Sequence, residues 1–441
     1  MEEEVPNPLL VEPEVVEPVG ENAPVGVTAA PASRAAATFI FLTVTLDMLA
    51  MGMIVPVLPK LIQSFEGGNA AAAATMIGIF GFMFAGIQFV FSPVLGALSD
   101  KIGRRPVVLM SNFGLGADYV VMALAPTLPW LFLGRVISGL TSSSVPTAMA
   151  YMADVTPQEK RAAAFGMLNA AFGIGFVVGP AMGGWLGNVN PRLPFWVAAG
   201  LSLVNGMYGL FVLPESLKHE HRQTKINWKR ANPVGSLALF TRVKGLLTLA
   251  GLLTLGYVAQ QSLMSTYMIY VYTRYSWSVR TGGLSLAVVG IVTGIYGVLL
   301  VKPAVAKLGE RKSIILGYIG GALGYWAMGF SKTGLILWIG IPFLNLMGIA
   351  WPSAQSIMSR HTPPNEQGLL QGAVNSLRGV SGLIGPLMFT WVFAHSIDAK
   401  PLFPSAGSTF YLAAALILLG LVIASTALAH DHPVKATAKA T

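Results

Sequence analysis

Asp47, Asp118, Arg135 and Arg378 each stand deep inside a long apolar stretch, and their chemistry there demands a reason. An ionisable group in hydrocarbon costs several kcal/mol unless it is neutralised, so such a group marks a path for protons, ions or substrate. The helix rise puts Asp47 at ~15 Å from the basic end of its helix and Asp118 and Arg135 at ~20 Å, so the three are expected to share one layer. There Arg135 can neutralise a carboxylate, while desolvation opposes the charge. A carboxylate held between those influences can gain and lose a proton in a transport cycle. The competing structural reading is a permanent pair between Arg135 and one acid that locks the first half of the chain. Arg378 differs, because no acid of the second half falls within an apolar stretch. It is expected either to face a central cavity, where Asp47, Asp118 or a substrate group completes it, or to snorkel to the membrane surface.

The elements that hold these groups follow from composition. Of 441 residues 54% are hydrophobic and 11% charged, with a mean hydropathy of +0.64. A soluble chain carries about 25% charged residues, so this is an integral membrane protein. The absence of Cys excludes disulfides, thiolate metal sites, Fe–S clusters and cysteine nucleophiles. Residues 1–34 hold seven of the 19 acidic residues, from Glu2 to Glu21, and lack the basic start and apolar core of a signal peptide. They read as a disordered acidic tail.

Stretches long enough to cross ~30 Å of hydrocarbon recur near 37–59, 72–98, 105–124, 128–150, 162–186, 193–213, 245–272, 281–301, 313–330, 334–357, 369–394 and 408–429. Long Leu, Val, Ile and Ala runs suit helices, and the alternation of a membrane barrel is missing. Twenty of the 28 Lys and Arg lie in loops and tails on one side, and six on the other. Both termini are therefore expected in the cytoplasm, and the net charge of +9 is explained by topology rather than nucleic-acid binding.

A shift of 206 residues brings Gly103 onto Gly309, Arg105 onto Arg311, Pro146 onto Pro352, Asn169 onto Asn375, Gly179 onto Gly385 and Pro180 onto Pro386. The expected fold is all-α, twelve transmembrane helices in two pseudo-symmetric six-helix bundles. The parallel repeat places the pseudo-twofold along the membrane normal, and two such bundles can rock about a central cavity. The expected divisions are the tail 1–34, a bundle at 35–213, a cytoplasmic linker at 214–244, a bundle at 245–430 and a tail at 431–441.

Three segments add to the charges. In GALSDKIGRRPVVL (96–109), Gly96 is expected to permit close helix approach, Asp100 to cap the following segment, and Arg104 or Arg105 to pair with Asp100 as a conformational latch around Gly103. In GIGFVVGPAMGG (173–184), Gly175, Gly179, Gly183 and Gly184 allow close packing and Pro180 weakens the helix. Plain packing and gating are equally open there. In the second half Gln260, Gln261, Tyr267, Trp351, Gln355 and Asn375 are candidates, with Arg378, for a substrate-binding wall.

GALSDKIGRRPVVL resembles the loop signature of the major facilitator superfamily, LGRVISG around Arg135 its fourth-helix motif, and GFVVGPAMGG the fifth-helix motif of its drug:proton antiporters. TLDMLAMGMIVPVLPKL (45–61), GADYVVMALAPTLPWLFLGRVISGL (116–140), YMADVTPQEKRAAAFGM (151–167), LPES (213–216) and LQGAVNSLRGVSGLIGPLMF (370–389) resemble the tetracycline:proton antiporter branch. The resemblance implies that Asp47, Asp118, Arg135, Asp100 and Arg104 sit where that branch keeps its transport-essential charges. Thr293 and Gly321 stand where some members carry a His in the eighth helix and an Asp in the ninth, and Arg378 where a small polar residue is usual. Proton chemistry is thus expected in the first half.

The leading reading is a proton-coupled exporter of drugs or amphipathic small molecules, multi-pass in a bacterial inner membrane, functional as a monomer, with no metal or cofactor. The alternatives are a proton-coupled transporter of another, anionic solute and a transport-inactive scaffold or sensor. A membrane enzyme is disfavoured by the lack of HExxH, a nucleophile–base set or a metal-ligand cluster.

Overall fold

The computed structural model describes residues 34–223, 235–242, 245–398, 400–403 and 405–427, and every regular element among them is helical. The acidic tail up to residue 33, residues 224–234 and 243–244 of the basic linker, and the C-terminal tail lie outside the described residues. The first half contains α1 (Arg34–Ile54), α2 (Leu58–Phe65), α3 (Ala70–Ile102), α4 (Arg104–Leu124), α5 (Leu128–Thr141), α6 (Ser144–Val155), α7 (Arg161–Val189) and α8 (Leu193–Val212). After it come α9 (Leu239–Arg242), α10 (Leu246–Tyr275), α11 (Val279–Ile295), α12 (Val301–Phe330), α13 (Gly334–Asn345), α14 (Met347–Arg360), α15 (Gln367–Ser396) and α16 (Ser408–Ala427).

Ten stretches among the described residues are long and apolar enough to span a membrane. The difference from twelve has a local cause at two places. The fourth expected span breaks into α5 and α6 at Ser142 and Ser143, leaving two short pieces. The eighth and ninth run together through a π turn at Tyr296–Leu300 and part at Gly309, whose φ of 74° and ψ of 165° leave the helical region. Gly103 makes the same turn between α3 and α4, with φ 110° and ψ 163°. Only Gly adopts such angles without strain, which explains why these glycines recur in the repeat. Elsewhere the ends follow ordinary chemistry: Asn69 caps α3 by accepting from Ala71 N and Ala72 N at 2.9 and 3.1 Å.

Large apolar side chains face outward along the whole length, with Phe211 83% exposed. In water such a surface would aggregate, whereas lipid accepts it. Two seams of small residues join the halves. On one, α7 meets α11 so closely that a Cβ on Gly184 would lie 2.9 Å from Gly283 Cα. On the other, α3 meets α15, and a Cβ on Gly81 would lie 2.9 Å from Pro386 Cβ. Tyr272 donates to Pro56 O at 2.5 Å across the halves, and Lys60 lies 5.0 Å from the Tyr272 ring centroid. These contacts close the end away from the Arg104 loop. Between the seams a cavity runs toward the basic end, where Ser236, in a short 3-10 turn at Gly235–Ala238, lines it and shares a hydrogen bond with Ser376 at 3.1 Å.

Candidate functional site

The cavity has two lobes. The larger, about 800 Å3, is lined from α3 by Phe84, Gln88 and Phe89, from α10 by Gln261 and Met264, and from α15 by Asn375 and Arg378. The smaller, about 520 Å3, is lined by Asp47, Tyr119, Ser138 and Ser144. Arg135, Phe84, Gln88, Met264 and Ser265 belong to both, so the lobes are continuous through the Arg135 side chain.

Asp47 is 3% exposed, and neither carboxylate oxygen has a hydrogen-bond partner. Ser144 is the polar side chain close enough to act on it, although the two do not meet hydrogen-bond geometry. The antiporter-like glycines explain how α1 is held there. A Cβ on Gly175 would lie 2.8 Å from Leu49 N, one on Gly179 2.7 Å from Leu49 O, and one on Gly183 2.6 Å from Met53 Cα. In turn, a Cβ on Gly52 would lie 2.8 Å from the Pro180 ring. Three of the four motif glycines therefore press α7 onto α1 beside Asp47. Gly184 alone faces across to α11.

Asp118 is fully buried and forms an ion pair with Arg135. Gly134 makes room for it, since a Cβ there would lie 2.6 Å from Asp118 Oδ1. Arg135 also contacts Met122 Sδ at 2.9 Å and lies 5.7 Å from the Phe84 ring centroid. The pairing anticipated for Arg135 is thus made with Asp118, while Asp47 stands alone on the cavity wall. Tyr119, 2% exposed, is within electrostatic reach of all three charges. Sequence reasoning missed Tyr119, although its place next to Asp118 was a usable signal.

At the basic end Arg104 pairs with Asp100 at 2.5 Å and Asp154 at 3.1 Å, and donates to Ser99 Oγ at 3.0 Å. Three expectations for this loop need correction. Arg105 does not join Asp100; its guanidinium donates to Leu210 O at 2.6 Å. Asp100 does not cap α4, because Glu215 of the LPES segment accepts from Arg104 N at 2.8 Å and Arg105 N at 3.3 Å. A carboxylate at the first turn satisfies the free amides and meets the positive end of the helix dipole. Gly96 permits no close approach, since a Cβ there would meet nothing within 4 Å. The cluster ties together α3, α4 and α6 of the first half and the start of the segment that follows α8.

Of the proposed binding wall, Gln261, Asn375 and Arg378 line the larger lobe, and Gln260, Trp351 and Gln355 are not among its described lining residues. Trp351 instead packs its ring 5.6 Å from Tyr257, and Tyr267 donates to Ser285 at 3.0 Å within the core. Gly321 packs on α14, where a Cβ would lie 2.5 Å from Met347 Sδ and leaves no space for an acidic side chain. Thr293 donates to Asn345 at 2.6 Å.

A family model for the Major Facilitator Superfamily matches residues 40–386 and 283–441. The tetracycline resistance protein, class C, of Escherichia coli is 38% identical over 360 residues, 80% of this chain and 88% of that protein. The class G protein of Vibrio anguillarum is 34% identical over 371 residues, 83% and 92% of the two chains. Among solved structures, the nucleoside transporter NupG superposes with a TM-score of 0.74 at 14% identity, covering 90% of this chain and all of that one, a likeness of fold alone.

Proposed function

The chain belongs to the major facilitator superfamily, and on that premise we propose that it is a proton-driven exporter of drugs or other amphipathic small molecules. The observation that carries this reading is Asp47: a buried carboxylate without a hydrogen-bond partner, on the wall of a drug-sized cavity. A charged carboxylate in that position is costly, so an arriving proton is a ready partner for it. Arg135 is already paired with Asp118, so its role is to hold the charge balance of the layer.

In the proposed cycle the bodies 35–213 and 245–430 rock about the cavity, joined by 214–244. The basic end is cytoplasmic by the positive-inside rule, both termini lie on that side, and the membrane is a bacterial inner membrane. The conformation described above is then the inward-facing one. Substrate enters from the cytoplasm while Asp47 is deprotonated; after the halves rock, a proton from outside replaces it. The ion pairs of Arg104 brace the first half so that it moves as one body. Monomers suffice for this cycle, no metal, cofactor or nucleic acid takes part, and no chemical reaction on the substrate is involved.

An inactive scaffold or sensor would have no use for an unpaired acid in the cavity. The deciding experiment is a substrate panel, tetracycline included, in proteoliposomes with an imposed pH gradient. Substrate movement against its own gradient and opposite to the protons is expected. Movement with the protons would make the chain an importer, and no movement of any compound would favour the scaffold.

A further inference from the structure

We propose that Arg378 is an anion-recognition centre of the cavity and that the transported molecules carry an acidic group, a carboxylate, sulfonate or enolate, on an apolar body. Its guanidinium lies 5.0 Å from the Tyr257 ring centroid. Each of the two residues sits eleven positions into its helix, ~16 Å of rise from the basic end. A snorkelling arginine would stretch away from that depth, whereas the ring holds Arg378 at it. The side chain is exposed only in the sense that it lines the cavity.

The charge balance points the same way. None of the salt bridges among the described residues includes Arg378, while the other cavity arginine, Arg135, is paired with Asp118. Among the described residues no carboxylate lines the larger lobe, and Asp47 belongs to the smaller. A guanidinium in such a site is completed by an acid, and no described side chain supplies one.

Neighbouring groups can share the work of recognition. Asn375 lies one turn before Arg378 on α15, and Gln261 one turn after Tyr257 on α10; both reach the same lobe. Phe84, Phe89 and Met264 form the apolar wall beside them, and about 800 Å3 accommodates a drug-sized body.

This inference rests on the exporter reading but is tested without a gradient, so that the two can fail separately. Equilibrium binding is measured on the purified full chain with three matched probes: anthracene bearing a carboxylate, a carboxamide or an aminomethyl group. The carboxylate is expected to bind about tenfold more tightly than the carboxamide, because a charge-assisted hydrogen bond replaces a neutral one. In Arg378→Leu that preference should fall to within about twofold, with carboxamide affinity nearly unchanged, and Arg378→Lys should keep part of it. Should Arg378→Leu fail to fold, Arg378→Gln and Arg378→Lys decide by the same ratio. A wild-type carboxylate affinity no better than that of the carboxamide, or a preference that survives loss of the guanidinium, overturns the proposal. Loss of proton-driven export alone would leave this binding result standing.

Discussion

In the first half Gly103 turns the chain from α3 into α4 and Arg104 then pairs with Asp154; in the second half Gly309 makes the same turn and Glu310 then pairs with Arg360. Both residues of the second pair lie 206 positions beyond those of the first, with the signs exchanged. An ion pair at a loop holds two helix ends equally well in either polarity, so the repeat keeps the place and leaves the sign free. The mid-depth charges behave differently. The positions related to Asp47, Asp118 and Arg135 are Leu253, Gly324 and Ile341, and the position related to Arg378 is Phe172. Either half can therefore fold its core without them. On the function proposed above, the paired loop charges serve the fold and the unmatched mid-depth ones serve transport.

The largest effect expected from this contrast is at Asp47. Asp47→Asn should abolish gradient-driven transport and leave insertion and thermal unfolding unchanged, because the amide keeps the shape and cannot carry a proton. Proton flux on adding substrate is the measurement, and wild-type flux would return Asp47 to the core-packing residues.

Breaking the buried pair comes next. Arg135→Leu leaves Asp118 unpaired and should destabilise the protein by about 3–5 kcal/mol, whereas Asp118→Asn with Arg135→Met should recover most of that loss. A double variant no more stable than the single one would mean that the pair shapes the half rather than balancing charge. Thermal unfolding distinguishes the two.

A wedge at the seam tests the movement between halves. Gly184→Val should force α7 from α11 and favour opening at the end away from the Arg104 loop. Since the chain has no Cys, a single Met51→Cys on the smaller lobe reports this by labelling with an impermeant thiol reagent. Labelling from that end should rise; an unchanged pattern would count against rocking at this seam.

The smallest effect is expected from reversing the loop pair of the second half. Arg360 is 59% exposed, so Glu310→Arg should lower stability by only about 0.5–1 kcal/mol, and adding Arg360→Glu should restore it. If the double variant regains nothing, polarity matters at that position and the two loops are not equivalent.

The helices were legible because hydrocarbon forces every backbone group into an internal hydrogen bond, which makes long apolar runs decisive. The breaks at Ser142 and Gly309 were not, because a long apolar run hides a local turn. Asp47 and Asp118 stood out by rarity alone. That Arg135 chooses Asp118 depends on Gly134 clearing space beside the acid, a contact between helices that a linear distance cannot express. The same limit applies at Gly96: small residues permit close approach, but only packing decides where it occurs.

The sequence by itself determined the membrane environment, the apolar helices, the repeat and the residues too costly to be buried without purpose, since these follow from composition and period along one chain. Tertiary structure alone decided which charges are satisfied and which face the cavity. It left Asp47 without a hydrogen-bond partner, gave Arg104 to Asp154, gave the amides of α4 to Glu215, and laid Arg378 over Tyr257. The physical reason is that neutralising a buried charge requires a partner within a few ångströms, and that distance is set by how helices far apart in sequence pack together.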